Sequence, residues 1–275
     1  MPGKKEVAMN ADTIWADLEK IRAQAPLVHN ITNYVVMNNT ANALLALGAS
    51  PVMAHARTEV ADMTRISGAL VLNIGTLSDP WVDAMFLAAQ TARTANKPII
   101  IDPVGVGATP YRTDTARSLL DAGNPTIIRG NASEIMALAE APPENGATKG
   151  VDSTHGSDQA LAAATALVEA HGCAVCISGE TDFIRSPHGN FKIANGHPMM
   201  PRVTGLGCTA TAICGAFAAV NPQGGQAAAH AMAIMGIAGE MAAEKAEGPG
   251  SLQMHFIDAL YQISAADIQT RLKGE

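Results

Sequence analysis

The segment Thr204-Gly205-Leu206-Gly207-Cys208-Thr209-Ala210 carries the strongest chemical signal in the chain. Two glycines precede an Ala-rich run, so the backbone N–H groups of Gly205, Leu206, Gly207 and Cys208 can converge on an anion at a helix start. The spacing also fits the dinucleotide fingerprint GxGxxA. Against that fingerprint, residues 196–202 hold two prolines and make no clean strand, and no acidic residue lies about 20 positions on to hold a ribose. A Gly-rich helix start without a ligand is the plain alternative. Cys208 falls in the first turn, where the positive end of the helix dipole is expected to lower a thiol pKa. As a merely packed residue it would be a small buried hydrophobe.

Two further runs place polar groups beside that helix. Ile99-Ile100-Ile101-Asp102-Pro103-Val104-Gly105 ends a buried strand on Asp102, and carboxyl ends of parallel strands face the ligand crevice. A turn-forming Asp-Pro reads the same way. Ile127-Ile128-Arg129-Gly130-Asn131-Ala132-Ser133-Glu134 is a strand, a turn and a helix start. Asn131 with Glu134 three residues on fits a capping box. The functional reading sets Asn131 and Glu134 near a hydrated Mg²⁺ and Arg129 on a phosphate. Cys173 and Cys176 have CxxC spacing, but positions i and i+3 of a strand point to opposite faces, so a core strand is the better reading. The eight histidines form no HxxxH or HxH pair, and none is assigned to a metal.

Alternating short apolar runs and longer amphipathic ones must position these groups. The periodicity predicts helices over 12–25, 33–47, 80–96, 114–122 and 157–171, with another opening at 131. It predicts strands over 50–53, 69–74, 98–101, 126–128 and 174–178, and a hairpin over 183–193. From Cys208 onward the chain reads as helical, with breaks at 221–225 and 248–250; residues 141–154 are the most loop-like. This alternation implies an α/β fold, a three-layer α/β/α sandwich on a mostly parallel sheet. No internal repeat or linker divides it, so residues 1–275 are expected to form one domain.

Composition narrows the function. Eighteen basic against 25 acidic residues give a net charge of −7, which argues against nucleic acid or an anionic membrane as the main partner. With 48% apolar and 16% charged residues the chain is not disordered, and 4% aromatics leaves a core of small and aliphatic side chains. Residues 203–239 carry no Asp, Glu, Lys or Arg, but Asn221-Pro222-Gln223-Gly224-Gly225 cuts them below the length of a membrane span. The first ten residues have no apolar core for a signal peptide, and four cysteines in a chain this long suit free thiols in a cytoplasm.

Taken together, Val28-His29-Asn30-Ile31-Thr32-Asn33, Ser50-Pro51-Val52-Met53, Asp102-Pro103-Val104-Gly105, Arg129 to Glu134, Ser178-Gly179-Glu180 and Gly205-Leu206-Gly207-Cys208 closely resemble the hydroxyethylthiazole kinase family. They span about residues 25–240, in the family's order. The Asp-Pro-Val-Gly, Asn-x-x-Glu and Gly-x-Gly elements are shared across the ribokinase-like superfamily; the cysteine after Gly-x-Gly marks the thiazole kinases. The resemblance implies a ribokinase-like fold without a separate lid domain. It implies ATP- and Mg²⁺-dependent phosphorylation of 4-methyl-5-(2-hydroxyethyl)thiazole in thiamine salvage, by a cytoplasmic homotrimer with active sites between subunits. It places Met53 and Gly205 on the thiazole, with Asn30 and Thr32 near its pocket. It places Arg129, Ser178 and Asn131 on ATP, and Asp102 and Glu134 at Mg²⁺, directly or through water. It makes Cys208 the catalytic base. A pyrimidine kinase or nicotinamide-hydrate dehydratase of the same superfamily would carry Asp at that position. A binding regulator would have no need of the full set of Asp102, Arg129, Glu134 and Cys208.

Overall fold

The computed structural model describes residues 6–140 and 156–274. The loop-like stretch 141–154 lies outside them. Six parallel strands form most of one sheet: β1 (Leu27–Ile31), β2 (Ser50–Val52), β3 (Ala69–Asn73), β4 (Ile99–Asp102), β5 (Ile127–Asn131) and β6 (Ala174–Ser178). The antiparallel hairpin β7 (Asp182–Arg185) and β8 (Phe191–Ile193) extends it, giving the order β2-β1-β3-β4-β5-β6-β7-β8.

Strand periodicity sorts the core into two layers. Val71, Ile100, Ile127, Ala174 and Cys176 point to one face, and Leu70, Leu72, Ile99, Ile101, Ile128 and Val175 to the other. The first face packs against α1 (Ala11–Gln24), α2 (Met37–Leu47), α8 (Leu206–Val220), α9 (Gly224–Ala243), α10 (Pro249–Gln262) and α11 (Ala265–Arg271). The second packs against α3 (Val60–Ile66), α4 (Asp79–Thr94), α5 (Pro110–Gly123), α6 (Ala132–Ala139) and α7 (Gly156–His171). This is the expected α/β/α sandwich. Cys173 and Cys176 do fall on opposite faces and are free thiols. The charge-free run becomes two separate helices, α8 and α9. Among the described residues no helix is long and apolar enough to cross a membrane.

One expected boundary needs correction, and two elements lie outside the expected ones. The second helix starts at Met37, not at residue 33, because the Asn33 side chain accepts the Val35 N–H at 3.1 Å and holds residues 33–36 in a turn. The strand β1 carries buried His29 and Asn30, polar residues that hide it from a hydrophobic pattern. The seven-residue α3 is too short to show a helical stripe.

Candidate active site

The carboxyl ends of β1, β3, β4 and β5 meet the start of α8, and Ser178 at the end of β6 joins them through Arg129. Gly205 caps that helix with φ +84°, a conformation that favours glycine, and a Cβ there would fall 2.6 Å from Val36 Cγ1. No side chain caps α8, and its first internal bond runs from the Thr209 N–H to the Gly205 carbonyl at 2.9 Å. The N–H groups of Leu206, Gly207 and Cys208 precede that bond, as an anion hole requires.

Arg129 lies against this helix start. A Cβ added at Gly207 would sit 3.0 Å from Arg129 Nη1. Arg129 Nη2 donates to Ser178 Oγ at 2.6 Å, so two residues read as nucleotide contacts touch each other. The guanidinium Nε is buried with no partner. Burial opposes the charge, but the negative field led by Asp102 outweighs it and keeps the group protonated. Beside the Arg129–Ser178 pair opens a cleft of about 360 Å³ lined by Ala132, Ser178, Gly179, Glu180, Thr181 and Phe183.

Asp102 is buried at the end of β4. Asn73 Nδ2 donates to its Oδ2 at 2.7 Å and Thr211 Oγ1 donates to the same oxygen at 2.8 Å. Burial pushes this carboxyl up to about 6, against the pull of Arg129 and these two donors. Glu134 completes the capping box: its Oε2 accepts the Asn131 N–H at 2.8 Å, and Asn131 Oδ1 accepts the Glu134 N–H at 2.9 Å. Its Oε1 also accepts the Gly105 N–H at 2.9 Å, tying the loop after β4 to the start of α6. Each Glu134 carboxylate oxygen accepts one of these backbone N–H groups and keeps acceptor capacity for a water or a cation. Among the described residues no group of three or more His, Cys, Asp or Glu side chains is arranged to hold a metal by itself. Carboxylate oxygens are nonetheless the hard donors Mg²⁺ prefers, with one or two carboxylates and the rest from water and phosphate. The buried Asp102, whose anion is disfavoured without a cation, fits that role.

Cys208 is partly buried, and its Sγ accepts from Asn33 Nδ2 at 3.4 Å. Its pKa moves opposite to the helix-dipole expectation. Burial and the nearby Asp102 push the thiol up, and the amides of Asn73 and Asn33 and the Arg129 charge only partly offset them. Burial of the Cys208 thiol itself is the largest cause of the upward shift.

The sequence reading missed four polar residues here. Asn73 ends a buried strand as Asp102 does, and that shared signal was there to find it. Asn33 sat within the quoted motif without a role. Thr211 lies one helical turn beyond Gly207. Asp182, buried with its pKa pushed up to about 6, had no local signal. Other expected residues are not joined to the cluster. Asn30 is fully buried, its Nδ2 donating to the Val28 carbonyl at 2.9 Å and its Oδ1 without a partner. Thr32 is buried just beyond β1. Met53 follows the edge strand β2, which is separated from β4 by β1 and β3.

This geometry has relatives. A protein from Syntrophus aciditrophicus named hydroxyethylthiazole kinase is 61% identical over 262 residues, covering 95% of this chain and 96% of that one. The structure of a hydroxyethylthiazole kinase protein from Pyrococcus horikoshii OT3 superposes with a TM-score of 0.87 at 40% identity, over 96% of this chain and 98% of that one. A ribokinase-like superfamily protein from Enterococcus faecalis shares the fold, with a TM-score of 0.61 at 14% identity over 92% and 94% of the two chains. The model of the hydroxyethylthiazole kinase family matches residues 18–266, and this chain belongs to that family.

Proposed function

We propose that this chain transfers the γ-phosphoryl group of ATP to the hydroxyl of 4-methyl-5-(2-hydroxyethyl)thiazole, a salvage step toward thiamine, with residues 1–275 acting as one cytoplasmic domain. The observation that carries this reading is the meeting of an uncapped helix start, the Cys208 sulfur and the Arg129 guanidinium at one point.

Phosphoryl transfer needs placement and charge neutralisation more than covalent help. Arg129 and Ser178 hold the triphosphate, Asn131 flanks it, and the adjoining cleft receives the rest of the nucleotide. When bound, Mg²⁺ neutralises triphosphate charge. Asp102 and Glu134 would hold it, the latter through water. The thiazole hydroxyl gives its proton to the Cys208 thiolate. The freed oxygen pair attacks the γ-phosphorus, the bond to the bridging oxygen breaks, and that pair leaves on ADP. The N–H groups of Leu206, Gly207 and Cys208, with Gly205 lining the turn, face the transferring phosphoryl. Burial and Asp102 raise the Cys208 pKa, and the positive field of Arg129 works in the other direction, toward the thiolate.

A homotrimer with sites between subunits fits the surface. Tyr34, Val35, Leu45 and Ile66 are 59–67% exposed, and all come from the segment that builds the β2 edge. At roughly 4.8 Å per strand, Met53 beside β2 lies ~14 Å across the sheet from β4. A thiazole contacting Met53 of one subunit, with Asn30 and Thr32 behind it, would meet Cys208 of the next.

The test is ADP release with the thiazole alcohol and Mg²⁺-ATP, set against hydroxymethylpyrimidine. Turnover of the thiazole is expected, and turnover of the pyrimidine alone would overturn the assignment. In the same assay Cys208→Ala is expected to lower kcat by about 10²–10⁴-fold with a small change in the ATP KM, while Cys208→Asp stays active. Light scattering at micromolar protein should give a trimer mass.

A further inference from the structure

Asn33 stands between the Cys208 sulfur and the most buried carboxylate of the site. β1, β3 and β4 are neighbours in the sheet, and Asn73 pairs with Asp102 in register. Asn33 follows β1 by two residues. Its Nδ2 reaches Cys208 Sγ at 3.4 Å and Asn73 Oδ1 at 2.8 Å, and Asn73 Nδ2 reaches Asp102 Oδ2 at 2.7 Å. One unbroken chain of side-chain contacts thus runs from sulfur to carboxylate.

The orientation of both amides is settled by backbone donors. Asn33 Oδ1 accepts the Val35 N–H at 3.1 Å, and Asn73 Oδ1 accepts the Gly75 N–H at 2.9 Å. Each amide must therefore turn its NH₂ the other way, Asn33 toward the sulfur and Asn73 toward Asp102. The sulfur is presented with a donor, so at this contact it is an acceptor. The Asn33 amide is also boxed in. A Cβ added at Gly75 would come 2.6 Å from Asn33 Nδ2 and 2.8 Å from its Cγ, so the loop after β3 closes directly on it. Asn33 itself is 4% exposed.

We propose that Asn33 is a positioning residue for proton transfer. Anchored through Asn73 to Asp102, it fixes the Cys208 sulfur and supplies the N–H that the thiolate accepts. This rests on the reading of Cys208 as base. A donor to an ionised group is worth more than one to a neutral group, so the contact favours thiolate over thiol. The charged groups that face the sulfur are Asp102 from β4, which opposes ionisation, and Arg129 from β5, which favours it.

Two measurements test it. The first is a double-mutant cycle on kcat with Asn33→Ala and Cys208→Asp. Alone, Asn33→Ala should lower kcat by about 10- to 100-fold, the range for losing a hydrogen bond to a charged group, with both KM values within about threefold. In the Cys208→Asp background, where the acceptor is already ionised, the same change should cost under about threefold. An equal loss in both backgrounds, or a loss confined to KM, overturns the proposal. The second follows alkylation of Cys208 by iodoacetamide against pH in the ligand-free protein, mapped by peptide mass. A change of access alters only the plateau rate, whereas loss of the donor moves the midpoint upward by about one pH unit. An unmoved midpoint overturns the proposal even if activity falls. Asn33→Ser keeps a hydroxyl to accept the Val35 N–H but is too short to reach the sulfur, so it should repeat both results in a folded chain. Near wild-type kcat in folded Cys208→Ala would remove the base reading, and the midpoint would still decide the Asn33–sulfur contact.

Discussion

Two buried aspartates, Asp17 on helix α1 and Asp102 at the end of strand β4, behave in opposite ways. Asp17 on α1 accepts from Lys20 Nζ at 2.9 Å through Oδ1, and through Oδ2 from Asn221 Nδ2 at 2.6 Å and His230 Nδ1 at 2.9 Å. Asn221 in turn contacts Gln226 and accepts the Gln223 N–H, and His230 Nε2 lies 3.4 Å from Thr13 Oγ1. Burial pushes the Asp17 carboxyl up, but the bonds led by His230 more than reverse this and hold it at about 2. Asp102 has two neutral donors on one oxygen, and burial wins there, at about 6. The only buried side-chain N or O atoms without a partner among the described residues are Asn30 Oδ1 and Arg129 Nε, both in the strands that end at the candidate site. Completed polar networks hold elements together, as Asp17 ties α1 to the α8–α9 turn and to α9. Uncompleted ones mark where a ligand finishes the network.

That contrast breaks most visibly on activity. Asp102→Asn should reduce kcat by more than about 10²-fold, because the substitution removes the charge that meets the cation while keeping the shape. Asp17→Asn should leave kcat within about twofold. Equal losses in the two variants would mean that both clusters are structural.

The next effect is on stability, with a defined pH window. Asp17 has a folded pKa of about 2, below its ordinary value of 3.8, so folding favours its ionised form. Its contribution is complete above about pH 5, about 2 kcal/mol by linkage, and is lost as pH falls through 4 toward 2. Asp17→Asn should lower Tm by about 4–8 °C at pH 7, with the gap closing below pH 3. A gap constant from pH 7 to pH 2.5 would assign the loss to packing rather than charge.

These two clusters also show what was legible in the chain. Parallel strands such as Ala69–Asn73 and Ile99–Asp102 are apolar on both faces and announce themselves. The capping box of Asn131 and Glu134 is a local motif and forms as read. Gly205 to Cys208 is a local turn, and its backbone is as expected. Asp17, His230 and Asn221 gave no signal, because they lie up to 213 residues from one another. Asn33, Asn73 and Thr211 were hidden for the same reason: they meet only once the strands align. The direction of the Cys208 shift failed because a helix start is visible in sequence, whereas the burial that overrides it is a property of the packed fold.

The smallest expected effect is the sharpest, because it runs against the usual cost of a core substitution. Asp102 has a folded pKa of about 6 against an ordinary 3.8, so folding favours its protonated form. In the protein free of nucleotide and metal, its ionisation therefore works against the fold, and stability falls as pH rises from 4 through 6. An uncharged side chain of the same shape escapes that cost. Asparagine also brings an oxygen that accepts from Asn73 or Thr211, although its NH₂ is poorly matched to those donors and gives back part of the gain. Asp102→Asn should thus raise Tm by about 2–4 °C at pH 8, roughly 1 kcal/mol, and have little or negative effect at pH 4. Saturating Mg²⁺-ATP should shrink or invert the difference, because only the wild type retains the carboxylate that the cation meets. A lower Tm for the variant at pH 8 would show that Asp102, like Asp17, belongs to a completed network, and the distinction between the two regions would fall.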